Sequence, residues 1–63
     1  MARLVKLTAA DHEPVYINPL TVGWVRRLEG LTRIVYPGGP EDYVEVREPL
    51  EAVLNALNNG LAS

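Results

Sequence analysis

The chain has 63 residues, no cysteine, a single histidine and a formal net charge of −2 at pH 7. A chain of this length is expected to form one small domain, and no disulfide can stabilise it. The missing cysteines and the lone histidine argue against a zinc site built by this chain. Its acidic balance argues against general coating of nucleic acid, which basic proteins usually perform.

Location and catalysis can be predicted in outline. No apolar run approaches the roughly 18–20 residues that span a bilayer, and Lys6 interrupts the apolar start of the chain, so we expect a soluble cytoplasmic protein without membrane insertion. The only serine, Ser63, lies where chains fray, and His12 is predicted to be a loop residue. We therefore expect no enzymatic activity, no cofactor, no metal site and no small-molecule substrate.

Apolar and β-branched residues in alternation predict five strands. The strands cover residues 3–8, 14–18, 22–28, 31–36 and 43–47. Turn residues separate them: Asp11 in a polar connection, Asn18-Pro19 at a bend over residues 19–21, Glu29-Gly30 in a tight turn, and a loop that begins Pro37-Gly38-Gly39-Pro40.

The last part of the chain predicts one amphipathic helix. Pro49 suits its first turn, and Gly60 is predicted to end it. The spacing of the apolar residues predicts one buried stripe, made of Leu50, Val53, Leu54, Leu57 and Leu61. The expected fold is α+β, an antiparallel sheet of four to five strands with this C-terminal helix packed on one face.

Strand alternation divides the predicted sheet into two faces. The face under the helix should hold Val5, Leu7, Val15, Ile17, Val25, Ile34, Val44 and Val46. The opposite face should hold Leu4, Lys6, Tyr16, Trp24, Arg26, Arg33, Val35, Tyr43, Glu45 and Arg47. An acidic chain would thus carry one mildly basic, aromatic face.

That uncovered face permits two interpretations. Trp, Tyr and Arg anchor protein interfaces, which predicts self-association or another protein partner through Leu4, Tyr16, Trp24, Arg26, Val35 and Tyr43. Aromatic rings can also stack on bases while cations meet phosphates. This alternative predicts a nucleic-acid site made of Lys6, Trp24, Arg26, Arg33 and Arg47.

Several short motifs resemble a known family. The chain begins with Leu4-Val5-Lys6-Leu7-Thr8, continues with Ile17-Asn18-Pro19, and carries Val46-Arg47-Glu48 before the apolar helix. Over residues 4–57 this order is similar to the small FlbD/SwrD-type flagellar proteins. Pro49 stands where that family has Ser, and the Pro37–Pro40 loop replaces its Asn-Gly turn.

The resemblance implies a non-enzymatic accessory role in bacterial flagellar motility, and it transfers no catalytic residue. The leading hypothesis is therefore a small protein-interaction module that forms a homo-oligomer. The alternative is a small bacterial or phage regulator that binds nucleic acid through the aromatic and basic face.

Overall fold

The computed structural model describes residues 2–62, which form five short β-strands, one 3-10 turn and one α-helix. Each strand is one or two residues shorter than predicted, and the α+β class is confirmed. The 3-10 turn, Pro19–Thr21, lies between the second and third strands. The strands are β1 (Val5–Thr8), β2 (Pro14–Ile17), β3 (Trp24–Leu28), β4 (Leu31–Val35) and β5 (Tyr43–Val46), and the helix is α1 (Leu50–Ala62).

The prediction of one sheet with four to five strands is wrong. β1 and β2 form a two-stranded antiparallel sheet, whereas β3, β4 and β5 form a separate three-stranded antiparallel sheet. A single bridge between Ala9 and Val46 joins them, flanked by an Arg47 N–H bond to the Thr8 carbonyl at 2.8 Å. The chain turns immediately after Ala9, so β1 does not continue along β5 and the two sheets stay distinct.

Three predicted turns use the predicted residues. The Asp11 carboxylate accepts from the Glu13 N–H at 3.0 Å, and the Asn18 side chain accepts from the Leu20 N–H at 3.0 Å. Gly30 has φ 78°, a left-handed conformation that costs glycine little. These local interactions fix both hairpin turns and the entry into the 3-10 turn.

The core lies between the two sheets and α1. All eight apolar residues predicted for the covered face belong to it, five of them buried and three partly buried. The helix adds two buried side chains, and full burial of an aliphatic side chain contributes about 1.5–3 kcal/mol before entropy is subtracted. The buried members are Val5, Leu7, Ile17, Ile34, Val46, Val53 and Leu57, and Val15, Val25 and Val44 are partly buried.

The predicted stripe of α1 is wider than the part that is buried. Leu54 and Leu61 are 42% and 46% exposed, so their assignment to the buried face is wrong. The helix instead buries Val53, Leu57 and Gly60, a narrower row at spacings of four and three residues.

The prediction that Gly60 ends α1 is wrong, because the helix continues to Ala62. A Cβ at Gly60 would lie 2.7 Å from Val5 Cγ2 and 3.1 Å from both the Arg3 carbonyl oxygen and Pro19 Cγ. The Arg3 N–H also donates to the Gly60 carbonyl at 3.1 Å. Gly60 therefore lets the last turn of the helix approach β1 and the 3-10 turn closely.

Glu48 connects both sheets to the start of α1. Its two carboxylate oxygens accept the Thr8 main-chain N–H at 3.0 Å each, and its carbonyl accepts the Thr32 hydroxyl at 2.7 Å. Thr32 is only 1% exposed, so this hydroxyl needs a protein acceptor. We call Thr8, Thr32 and Glu48 the Glu48 junction.

The hydrogen bonds of the junction favour the charged carboxylate. Burial by itself would raise the pKa of the Glu48 carboxyl, but bonds from the Thr8 and Glu48 N–H groups outweigh burial. The pKa of Glu48 therefore lies below its ordinary value. Ionisation of Glu48 therefore stabilises the arrangement in which the two sheets are joined.

We predict that Gly60→Ala lowers the free energy of unfolding by about 1 kcal/mol. Overpacking against Val5 and the Arg3 carbonyl costs about 1–3 kcal/mol, whereas the better helix propensity of alanine returns up to about 1 kcal/mol. Urea unfolding followed by circular dichroism measures the change. Asn58→Ala, at an exposed position of the same helix, should not lower the free energy of unfolding. An equal increase of the free energy of unfolding in both variants would contradict the close packing of Gly60.

We also predict that Glu48→Gln lowers stability by about 1 kcal/mol at pH 7, because a bond to a charged acceptor becomes a neutral one. The folded-state pKa of Glu48 is depressed, so its contribution is complete above the unfolded pKa of about 4.3 and disappears as pH falls through the folded pKa. The variant should thus lose less stability in acid than the wild type. Urea midpoints from pH 7 to pH 3 test this.

The matched control for this pH series is Glu41→Gln, which neutralises an exposed loop carboxylate. It should keep the acid dependence of the wild type. If Glu48→Gln and Glu41→Gln have the same pH profile, Glu48 does not link the sheets as described.

Candidate protein interface

One row of side chains crosses the outer face of the three-stranded sheet, the face turned away from α1. Trp24, Val35 and Tyr43 are directly opposite one another on β3, β4 and β5. Trp24 is 47% and Tyr43 42% exposed, whereas Val35 between them is only 2% exposed. We call these three residues the aromatic row. It presents two large rings with a buried valine at its centre.

A second row lies beside the first and carries charge. Arg26, Arg33 and Glu45 are opposite one another on the same three strands. Arg33 donates to Glu45 Oε2 from Nε at 3.1 Å and from Nη2 at 2.7 Å. Both donors meet the same carboxylate oxygen, and the two charge-assisted bonds fix the guanidinium. We call these three residues the ionic row, and the net charge of the row is +1.

The two rows contact each other through their arginines. The Arg26 guanidinium carbon lies 4.9 Å from the centre of the Trp24 ring, and that of Arg33 lies 4.2 Å from the centre of the Tyr43 ring. Both distances are within the range of cation–π attraction. Each ring is thus held by a neighbouring cation, which gives this surface defined side-chain positions.

The loop before Tyr43 is closed by main-chain bonds. The Tyr36 N–H donates to the Asp42 carbonyl at 2.8 Å, and the Asp42 N–H donates to the Gly39 carbonyl at 3.1 Å. Burial, together with the nearby negative charge of Asp42, raises the pKa of the Tyr36 phenol, which therefore stays neutral. This closed loop positions Tyr43 at the start of β5.

The predicted single uncovered face is divided between the two sheets. Trp24, Arg26, Val35 and Tyr43 lie together, whereas Tyr16 lies on the β1–β2 hairpin, opposite Lys6. Leu4 precedes β1 and is exposed. These residues therefore lie on two separate sheets, and the single continuous sheet face that was expected is not formed by residues 2–62.

The cations predicted for nucleic acid are divided in the same way. Arg26 and Arg33 are in the ionic row, and Lys6 is on the other hairpin. Arg47 donates from Nε to the Ala10 carbonyl at 3.0 Å, and its Nη2 contacts the same oxygen. Arg47 therefore holds the two sheets together beside their single bridge.

Other apolar side chains are exposed outside these rows. They are Leu4 before β1, Tyr16 on β2, Leu20 in the 3-10 turn, and Leu54 and Leu61 on α1. Sequence reasoning missed Leu20 because an isolated leucine in a turn carries no periodic signal. Leu54 and Leu61 are seven residues apart on the helix, so their shared side could be read from sequence, but their exposure could not.

The described residues include neither a metal-binding cluster nor a helix that could span a membrane. Within residues 2–62, no three histidine, aspartate or glutamate side chains come together as a metal site requires. The only helix found in that range has 13 residues and is too short to cross a bilayer.

Comparisons with protein families, with curated proteins and with solved structures find no match to this chain.

The aromatic row yields a stability prediction. We expect Val35→Ala to lower the free energy of unfolding by about 1–3 kcal/mol, because it removes two buried methyl groups between the rings. Leu20→Ala, at an exposed position, should change it by less than about 0.5 kcal/mol. Urea unfolding of both variants measures this, and equal small effects would mean that Val35 is not packed by Trp24 and Tyr43.

Proposed function

We propose that this protein is a non-enzymatic protein-interaction module that self-associates through the aromatic row and the ionic row. The observation that carries the proposal is the pair of half-exposed rings, Trp24 and Tyr43, each held by an arginine. Trp, Tyr and Arg are the residue types that supply most binding energy in interfaces. A rigid aromatic surface also loses little side-chain entropy on binding.

The size of the molecule supports a second copy as the partner. Its accessible surface is 4302 Å², and a standard interface buries about 800 Å² on each partner, which is near a fifth of that surface. Chains of this size build small cores and gain stability by burying apolar area between copies. Association would cover the rings that the fold leaves exposed.

The charges of the surface are compatible with such a contact. Arg33 and Glu45 neutralise each other, so two approaching copies bring only Arg26 as an uncompensated charge. A long arginine side chain can lie at the rim with its head in water while its stem covers apolar surface. Arg26 therefore does not prevent two aromatic rows from packing together.

The alternative, nucleic-acid binding, has weaker support. Arg33 is engaged by Glu45, Arg47 by the Ala10 carbonyl, and Lys6 lies on the other sheet. Arg26 and Trp24 remain as the adjacent cation and ring that could meet a phosphate and a base. A single cation makes only a small electrostatic contribution to nucleic-acid binding, and the whole chain has a net charge of −2.

The flagellar role rests on the resemblance of the sequence motifs. Asn18 in Ile17-Asn18-Pro19 caps the 3-10 turn, and Glu48 in Val46-Arg47-Glu48 forms the junction before α1. These motif residues thus have structural roles. The resemblance is therefore better evidence for a fold in common with the flagellar family than for a binding partner in common with it. An accessory motility role is the narrower form of the proposal.

We expect sedimentation equilibrium at micromolar to millimolar concentration to give a mass above that of the 7.0 kDa monomer. Trp24→Ala should return the protein to monomer, because truncating a central aromatic anchor costs at least about 2 kcal/mol of binding. Leu20→Ala, which removes an exposed leucine elsewhere, should leave the mass unchanged. Trp24 is the only tryptophan, so its emission should also shift to the red on dilution.

A wild-type protein that is monomeric throughout this range, with dilution-independent emission, would contradict self-association. Titration with labelled single- and double-stranded DNA and RNA at two salt concentrations tests the alternative. Binding that weakens with salt and is lost in both Trp24→Ala and Arg26→Gln would favour the nucleic-acid function instead.

A further inference from the structure

A small cavity lies at the other end of β3 and β4 from the aromatic row. Its volume is about 210 Å³, and it is open to solvent. The β3–β4 turn at Gly30 forms one side, and residues 47–49 before α1 form the other. Glu48, which forms the junction with Thr8 and Thr32, is one of the residues that line this cavity, and so is Thr32.

The charged groups of the cavity are two arginines and one glutamate. Arg27 makes no ion pair within residues 2–62, where Arg33–Glu45 is the one such pair. Arg47, a second lining residue, is oriented by the Ala10 carbonyl, to which it donates through Nε and Nη2. The Glu48 carboxylate accepts from the Thr8 N–H, so the lining carries a net single positive charge.

The remaining walls are largely apolar. Leu28, Leu31 and Pro49 line the cavity together with the side-chain-free Gly30. A volume of about 210 Å³ is below the roughly 300–1,000 Å³ of sites for drug-sized ligands, so the occupant must be small. A monoanion with a short apolar group matches both the charge and the walls.

We propose that this cavity binds a carboxylate attached to a short branched apolar group. Arg27 supplies planar N–H donors that match a carboxylate, Arg47 adds a second cation, and the two leucines and Pro49 contact the apolar group. A phosphate dianion fits less well, because its second charge would face Glu48. The carboxylate can belong to a free acid or to the C-terminus of a peptide. This site is independent of the proposed self-association.

The test uses two pairs of probes and the full chain. The pairs are 4-methylpentanoate with 4-methylpentanamide, and N-acetyl-leucine with N-acetyl-leucinamide. Amide ¹H–¹⁵N signals of Gly30, Leu31 and Thr32 report on the cavity, and those of Trp24 and Tyr43 serve as distant references. We expect saturable shifts at the cavity with at least one acid, and binding at least about tenfold weaker for its neutral amide.

The two acids distinguish the sources of the carboxylate. Tighter binding of N-acetyl-leucine would assign the site to a peptide C-terminus, and tighter or equal binding of 4-methylpentanoate would assign it to a free acid. Shifts of equal size with acid and amide, or no shift at about 10 mM of either acid, would overturn the proposal.

Arg27→Gln and Arg26→Gln form a matched pair of variants. They remove one charge each from neighbouring positions of β3, but only Arg27 lines the cavity. Arg27→Gln should weaken binding of the acid at least about tenfold, and Arg26→Gln should leave it unchanged. Equal effects of the two variants would mean that general charge, and not the cavity, attracts the acid. Unchanged amide signals of Val53 and Leu57, in the buried row of α1, verify that both variants fold.

Discussion

The Glu48 junction is the interaction on which the arrangement of the molecule depends. Among residues 2–62 the two sheets share only one bridge, at Ala9 and Val46, so strand pairing alone connects them weakly. Glu48 adds a carboxylate bond to Thr8 at the end of β1 and a carbonyl bond to Thr32 on β4. Because Glu48 lies only two residues before the first residue of α1, the same residue also sets where the helix starts over the core.

Both candidate surfaces follow from this geometry. With α1 directed over the inner face, no helix or strand of residues 2–62 covers the outer face of the three-stranded sheet, and the two rings of the aromatic row are exposed there. With residues 47–49 held across the β3–β4 hairpin, a cavity remains beside Arg27. The acidic side chains that matter most, Glu45 and Glu48, are occupied by protein donors, so the net acidity of the chain does not describe either surface.

The sequence predicts the layers of this fold better than their connection. Alternation places Val25 inward and Trp24 outward correctly, because a pleated strand leaves no other choice once one face is buried. Pairing beyond the hairpins depends on where β1 stops, and no local signal marks Ala9 as the last paired residue. The exposure of Leu54 and the burial of Val35 depend on neighbours distant in sequence, so periodicity could not predict them.

The burial of Val35 is also the reason to regard the outer face as a prepared surface. A valine on an uncovered sheet face is normally half exposed, yet Val35 is only 2% exposed between its cross-strand neighbours Trp24 and Tyr43. A partner that docks on the aromatic row thus meets side chains that have already lost much of their freedom. Binding at this surface therefore costs less side-chain entropy than binding at a mobile surface would. If that partner is a second copy, folding and association become linked, and the stability of this small chain rises with its own concentration.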